Sequence, residues 1–413
     1  MTIERDPPAR DDPDMELPGP PDPWVGSSQP SPRSGPPYHM TDMILAEPAL
    51  AERILHRLAA DGRDVGRGDV GELSVAINQV AERGEPIIVT GCGTSEHAAQ
   101  AVAAILGEAL ASGSAAGASP PTAAQAFELS LDPPARGLVI GISHEGGTAK
   151  TIAALGAARA GGAQTVLITS SRRSPGAVLA DIVVETQELD QSWCHTVGYL
   201  SPIVAAHAVA AELRGNPVDA TQIRSIRDLL AAGVRQSSEA EAVAARLAGT
   251  ERILVVASGA DRPAGRELVL KIEEGTWIPA AYRDLETLLH GHLAATDKTN
   301  GLVLVLTDRD RLPERSKCAR GVLAAAGVIG MPAGAILSAA ASDAIPSDLT
   351  PAGRLVVPDA PELPRAVAAL LGSVTALQLL TERLARARGV DPDAIHRDVD
   401  RYREAADAAD AAD

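Results

Sequence analysis

One motif, written twice, constrains this chain more than any other feature. The segment VVASGADRPAG (255–265) can be laid over IVTGCGTSEHA (88–98) without a gap. Each is an apolar run, a turn of small residues and a helix start. The longer stretches PIIVTGCGTSEHAAQAVAAIL (86–106) and RILVVASGADRPAGRELVLKI (252–272) therefore read strand, tight turn, helix. GLVIGISHEGGTAKTIAALGAAR (137–159) repeats the pattern, and further strands are predicted at 163–169 and 180–186. In the second half, strands are predicted at 302–308 and near 354–357, with helices near 313–326 and over 363–388. Short continuous apolar runs alternating with helices signal a parallel sheet covered on both faces. The expected fold class is α/β, with two tandem doubly wound units made by internal duplication.

The remaining segments set the organisation. Residues 1–37 hold eleven of the 30 prolines, so a disordered proline-rich tail is expected over 1–39, with Met1 and Met40 both standing as candidate starts. Apolar spacing over 41–59 is interrupted by Pro48, which predicts two short helices, and another helix is expected at 70–83. Residues 199–247 are helical in pattern. The expected boundaries are N-terminal helices with the first unit over 40–215, linking helices at 216–250, the second unit at 251–390 and a C-terminal tail at 391–413. The Ala-Ala-Asp repeat closing that tail reads as a solvated helix end.

Composition excludes several functions. Of 413 residues, 37 are Lys or Arg and 54 Asp or Glu, for a net charge of −17, and aromatics make up 2%. Nucleic-acid binders need cationic faces and often stacking rings, so that class is not expected. No apolar run reaches the roughly 18–20 residues of a membrane span. Cys92, Cys194 and Cys318 are far apart and show no CxxC spacing, which argues against a disulfide framework or a structural zinc. A cytoplasmic protein without metal or organic cofactor is expected.

Three constellations carry chemistry. A Gly-x-Gly turn at Gly91–Gly93 that opens a helix aims backbone N–H groups and the helix's positive end at what lies above it, and Thr94 and Ser95 add hydroxyls. On the motif alone, a phosphate cradle and a plain turn capped by Ser95 fit equally. Glu96 stands where a dinucleotide fingerprint needs a small residue, which disfavours nucleotides. The second loop, Ser143-His144-Glu145-Gly146-Gly147-Thr148, is a second anion cradle in which Glu145 faces a sugar hydroxyl or amine rather than a phosphate. In the third, Glu267, Lys271 and Glu274 follow at i, i+4 and i+7 and share one helix face. That face is either a solvated ion pair or a proton-transferring carboxylate with its supports. His290 and His292 lie in an apolar stretch, where a buried structural histidine is the commoner arrangement. A metal site with Cys194 and His195 is the alternative.

Together these segments, over about 40–390, resemble the sugar isomerase (SIS) family, in particular the isomerase portion of the glutamine–fructose-6-phosphate aminotransferases. GCGTSEHAA resembles the family's first phosphate loop, ISHEGGTAKT its second, and ELVLKIEEGTWIPAAYRDLETLLHGHLA (267–294) its catalytic helix and histidine segment. The resemblance implies two SIS-type units. It implies that Gly93, Thr94, Ser95, Ser143, His144 and Thr148 hold the substrate and its phosphate. It further implies that Glu274 shuttles a proton between C1 and C2, that Glu267 and Lys271 support it, and that His290 assists ring opening from a neighbouring subunit. The implied partners are a phosphorylated sugar or amino sugar and a second copy in a homodimer or higher oligomer, with no nucleic acid and no membrane.

The departures are as informative. No N-terminal cysteine nucleophile or glutaminase segment is present, so glutamine hydrolysis is not expected. Ser192-Trp193-Cys194-His195 replaces a segment of small residues, and the tail DAIHRDVDRYREAADAADAAD lacks the family's lysine-bearing close. Two functions are thus expected: an isomerase or deaminase acting on a sugar phosphate, or a non-catalytic sugar-phosphate sensor. Fold alone does not choose between them.

Overall fold

The computed structural model describes Pro30 and residues 33–64, 68–112 and 117–410. Five strands, β1 (Ile87–Gly91), β2 (Thr122–Gln125), β3 (Leu138–Ile142), β4 (Gln164–Thr169) and β5 (Ile182–Glu185), form one sheet in the order β2-β1-β3-β4-β5. Five more, β6 (Arg252–Ala257), β7 (Ala280–Asp284), β8 (Asn300–Leu306), β9 (Ala333–Ser338) and β10 (Gly353–Val357), form a second in the order β10-β9-β8-β6-β7. Every pairing is parallel. Counted from the first strand of each unit, both sheets run second, first, third, fourth, fifth. The duplication legible in sequence is thus a duplication of topology.

The helices are α1 (His39–Asp64), α2 (Asp69–Glu82), α3 (Thr94–Ser112), α4 (Ala126–Leu131), α5 (Ala149–Gly161), α6 (Val197–Leu213), α7 (Ala220–Val234), α8 (Ser237–Leu247), α9 (Arg262–Thr276), α10 (Leu312–Ile329), α11 (Ala339–Ala344), α12 (Arg365–Arg388) and α13 (Asp400–Asp410). One apolar cluster runs from Met40 to Leu384 and draws on both sheets, so the two units share a core. α3 packs on α9 across their boundary, and α12 packs on α9, α7 and α8. α12 is apolar and long enough to cross a membrane by composition. Its most apolar window, however, is 94% buried, which makes it the core helix of the fold.

Four expectations are corrected. The two helices predicted around Pro48 are one helix, α1, with the proline inside it. The missing N–H costs one helical bond, but Met43, Ile44, Leu50, Ala51, Ile54 and Leu55 on both sides of it are buried, and that packing carries the helix through. Strands β2, β7 and β9 were not predicted. β2 and β7 are half-exposed edge strands, and β2 reads only TAAQ. The proline-rich tail falls mostly outside the described residues. Its last part is held, because Arg33 donates to Asp42 at 2.6 Å and to the Pro37 carbonyl at 2.7 Å. The fourth correction concerns the C-terminal tail, whose first part is docked as described below.

Candidate active site

In a sheet of order 2-1-3-4-5, the connections leave β1 and β3 in opposite directions, and the crevice between their carboxyl ends is where such folds bind ligands. The two predicted anion loops flank that crevice. β1 ends at Gly91, and α3 begins at Thr94, so Ser95 is a helical residue rather than the cap. A Cβ at Gly91 would lie 2.5 Å from the Ser95 carbonyl oxygen, because strand and helix meet here with no room for a side chain. Gly91→Ala therefore lowers stability by about 1–3 kcal/mol, as overpacking against backbone does. Urea denaturation checks this, and an unchanged midpoint would refute the close-approach argument.

In the second loop, Ser143 and Thr148 hydroxyls stand 3.1 Å apart. Ser143 is buried and Thr148 exposed at the start of α5, so the pair spans the wall and the mouth of the crevice. Gly146 (φ +63°) turns the loop where a Cβ would collide with the Ser174 hydroxyl. Glu145 is exposed at the tip. His144 is not beside the hydroxyl pair. Its ring is buried, and Nε2 accepts the Asp190 backbone N–H at 3.0 Å. Burial pushes it down to about 4, so it is a neutral imidazole at neutral pH.

The face of α9 proves to be interior rather than solvated. Glu267 and Lys271 are both 0% exposed, and only Glu274, with a side chain 29% exposed, reaches the opening. Glu267 accepts from the Thr94 hydroxyl at 3.2 Å, is paired with His97 Nδ1 at 2.7 Å and lies 3.7 Å from Lys271 Nζ. Lys271 Nζ donates to Glu274 Oε2 at 2.6 Å. One polar chain thus runs from the first loop through the core to Glu274. Burial works against the Lys271 ammonium, but Glu274, with Cys194 and Glu267, holds it well above its ordinary value. Burial likewise works against ionised Glu267, and Lys271 and His97 bring it below the usual carboxylate range. A buried ion set of this kind is costly unless every member is paired, and here the only member open to a ligand is a carboxylate.

Two groups at this site, His97 and Asp190, were not singled out from sequence, and His195 was named only as an alternative metal ligand. His97 sits one turn after Thr94 on α3, a spacing that could have flagged it. Asp190 accepts the backbone N–H groups of Ser192, Thr196 and Gly198 and so shapes the turn into α6. Cys194 is buried against α9, since a Cβ at Gly275 would meet its sulfur at 3.3 Å.

His290 is elsewhere. It is exposed on a turn after β7, and its Nε2 lies 2.9 Å from Glu286 Oε1; His292 is exposed too. The buried structural histidine expected here is corrected, because Leu285 and Leu288 take the interior positions of this turn. Among the described residues no group of three His, Cys, Asp or Glu side chains is gathered to hold a metal.

The equivalent crevice of the second unit is closed by its own acids. The repeat places Ala257 on Thr90, and their partners Val305 and Gly141 correspond. Asp261 then falls on Thr94, Thr307 on Ser143 and Asp308 on His144. Buried Asp261 accepts the Thr307 and Asp308 backbone N–H groups at 2.7 and 2.8 Å. Asp308 accepts the Ala260 N–H at 2.8 Å and pairs with Arg315 at 2.7 Å. The donors that an external anion would need are thus already taken.

Beyond α12 the chain returns to the first unit. The Asp393 carboxylate, buried, accepts the His39 and Met40 N–H groups at 2.6 and 3.1 Å and the Ser192 hydroxyl at 2.7 Å. His396 stacks between Trp277, which ends α9, and Tyr402, with both centroid distances 3.8 Å. Arg397 lies 4.9 Å over the Trp193 ring. Apart from the Tyr402 stack, α13 is exposed over most of its length, as expected for a solvated end.

Residues 81–211, which include all five strands of the first sheet, match the sequence model of the SIS domain family. The match is to the SIS domain and lies within the first unit. The second unit repeats the SIS sheet order, and the chain is a tandem of SIS-like α/β units. It is 28% identical over 239 residues to a glutamine–fructose-6-phosphate aminotransferase (isomerizing) of Gloeobacter violaceus, over 54% of this chain and 37% of that protein's length. In fold it is similar to the C-terminal domain of glucosamine-fructose-6-phosphate aminotransferase from Francisella tularensis, with TM-score 0.72, 19% identity, and 87% and 99% of the two chains covered. It is also similar to tagatose-6-phosphate ketose/aldose isomerase from Escherichia coli, with TM-score 0.66, 20% identity, and 86% and 95% covered.

Proposed function

We propose that this chain binds a phosphorylated sugar or amino sugar in the first crevice and interconverts aldose and ketose, or removes an amine, through an enediol. The observation that carries this is the α9 face. A fully buried Glu267–Lys271 pair is bonded to Thr94 of the phosphate loop and ends in a single half-exposed carboxylate, Glu274. A pure binding module has no use for a base held this way.

In this reading Gly93, Thr94, Ser95, Ser143 and Thr148 hold the phosphate. The helix ends of α3 and α5 and the hydroxyls of Ser95, Ser143 and Thr148 supply donors, the Thr94 hydroxyl being committed to Glu267, and the sugar's reacting carbons lie towards α9. Glu274 takes the proton from one carbon and returns it to the next. Lys271, donating to Glu274, holds that carboxylate in place, and Glu267, tied to His97 and Thr94, fixes Lys271. His290 on its exposed turn is free to serve a neighbouring copy in a homodimer. The chain acts in the cytoplasm, and this chemistry needs no cofactor.

The second reading, a sugar-phosphate sensor, is favoured by Glu145 at the loop tip and by the bulky Trp193, paired with Arg397, on the loop that carries Cys194 and His195. The deciding experiment is incubation with glucosamine-6-phosphate and fructose-6-phosphate in deuterated water, followed by proton NMR. Washout of the C1 or C2 proton is expected. Binding without washout would transfer the assignment to the sensor.

A further inference from the structure

Moving a proton between two carbons is only half of an aldose–ketose conversion. The product also has its hydroxyl and carbonyl exchanged, so a second proton must pass from one oxygen to the other. Glu274, as the carbon base, cannot hold both protons at once. The oxygens need a separate group able to give and take a proton near neutrality, which is the chemistry of an imidazole.

His195 has the position for it. Its loop packs on α9 through Cys194 at Gly275, the residue after Glu274. Its ring is half-exposed, with Nδ1 3.6 Å from Asp190 Oδ2, an ion-pair separation. Asp190 is itself immobilised by three backbone N–H groups. The charged and titratable groups around the ring are Asp190 on its own loop, His144 on the second loop at 6.4 Å between centroids, and Lys271 and Glu274 on α9. The Asp190 carboxylate lies on the Nδ1 side of the ring, so Nε2 is the nitrogen that it does not engage.

We infer that His195, oriented by Asp190, is the acid–base group that moves the substrate's oxygen-bound proton. This rests on the isomerase reading above. As Glu274 takes the C2 proton of the aldose, the His195 imidazolium gives its proton to the C1 carbonyl oxygen, forming the enediol. The imidazole then takes the C2 hydroxyl proton as Glu274 returns its own to C1. One proton has passed from C2 to C1 and one from O2 to O1, and both catalysts are restored. Burial lowers the proton affinity of His195, and Asp190 more than offsets this, so the imidazolium persists above the ordinary 6.5.

The test is washout kinetics of wild type, His195→Ala and Asp190→Asn, with sugar-phosphate binding measured alongside. Truncating His195 is expected to slow washout by roughly 10²–10⁴-fold with binding retained, and added imidazole to restore part of it. Wild type should lose rate as pH rises through a value above 6.5, because the imidazolium is lost. Asp190→Asn, whose one oxygen can still accept the Thr196 and Gly198 N–H groups that share Oδ2, should move that limb to lower pH. Washout in His195→Ala within threefold of wild type, at an unchanged pH profile, would overturn the assignment. So would a loss that imidazole does not rescue, combined with an unmoved limb in Asp190→Asn. If wild type itself shows no washout, it is the isomerase reading that fails.

Discussion

Glu274→Gln is expected to slow washout of the substrate's carbon-bound proton by on the order of 10⁴-fold, with ligand affinity changed no more than a few-fold. Glutamine keeps the shape of the side chain, and its carbonyl oxygen can still accept from Lys271, which now lies 2.6 Å from Glu274 Oε2. The pocket therefore stays assembled, and what is removed is the basic lone pair. The phosphate loops, which supply binding in this reading, lie on other elements and are untouched. Calorimetric titration and proton NMR on the same preparation separate the two effects. Washout at the wild-type rate would remove Glu274 from the mechanism.

Lys271→Met is expected to cost about 3–5 kcal/mol of stability at neutral pH, the scale for breaking one side of a buried ion pair. Methionine fills much of the volume, so packing is largely kept. Glu267, however, is 0% exposed and loses its cation. The pH dependence identifies the cause. In wild type, Glu267 lies below its ordinary value, so its contribution is present above that value and fades as pH falls through the folded one. Without Lys271, burial raises Glu267, the native state binds more protons than the unfolded chain, and stability falls as pH rises. The deficit of the variant should thus grow from pH 5 to pH 8 in urea denaturation, and Glu267→Gln added to it should recover most of the loss. A deficit under 1 kcal/mol, flat with pH, would contradict the ion-pair account.

Much of the fold was legible because its signals are local. A strand followed by small residues and a helix start needs only a few consecutive positions, and both copies of the motif fold as read. β2 and β7 escaped because edge strands are half-exposed and need no apolar run, and their place is set by the neighbour they pair with. Pro48 misled for a related reason. Its local preference is to end a helix, and buried side chains on both sides outweigh one absent hydrogen bond.

The site divides along the same line. Spacing alone put Glu267, Lys271 and Glu274 on one face of a helix and put Thr94, Ser143 and Thr148 on loops that follow strands. Whether that face met water or protein was a question of what packs on α9, and α3, α12 and the Cys194 loop bury it. Likewise His144 and His195 look alike in sequence. Tertiary packing turns the first inward onto Asp190's backbone and leaves the second paired with Asp190's carboxylate near Glu274. The sequence by itself determined the periodicity, the turns and the duplicated order of elements, since these depend on neighbours along the chain. Burial, ion pairing and proton affinity depend on neighbours in space, and only the tertiary structure decided those.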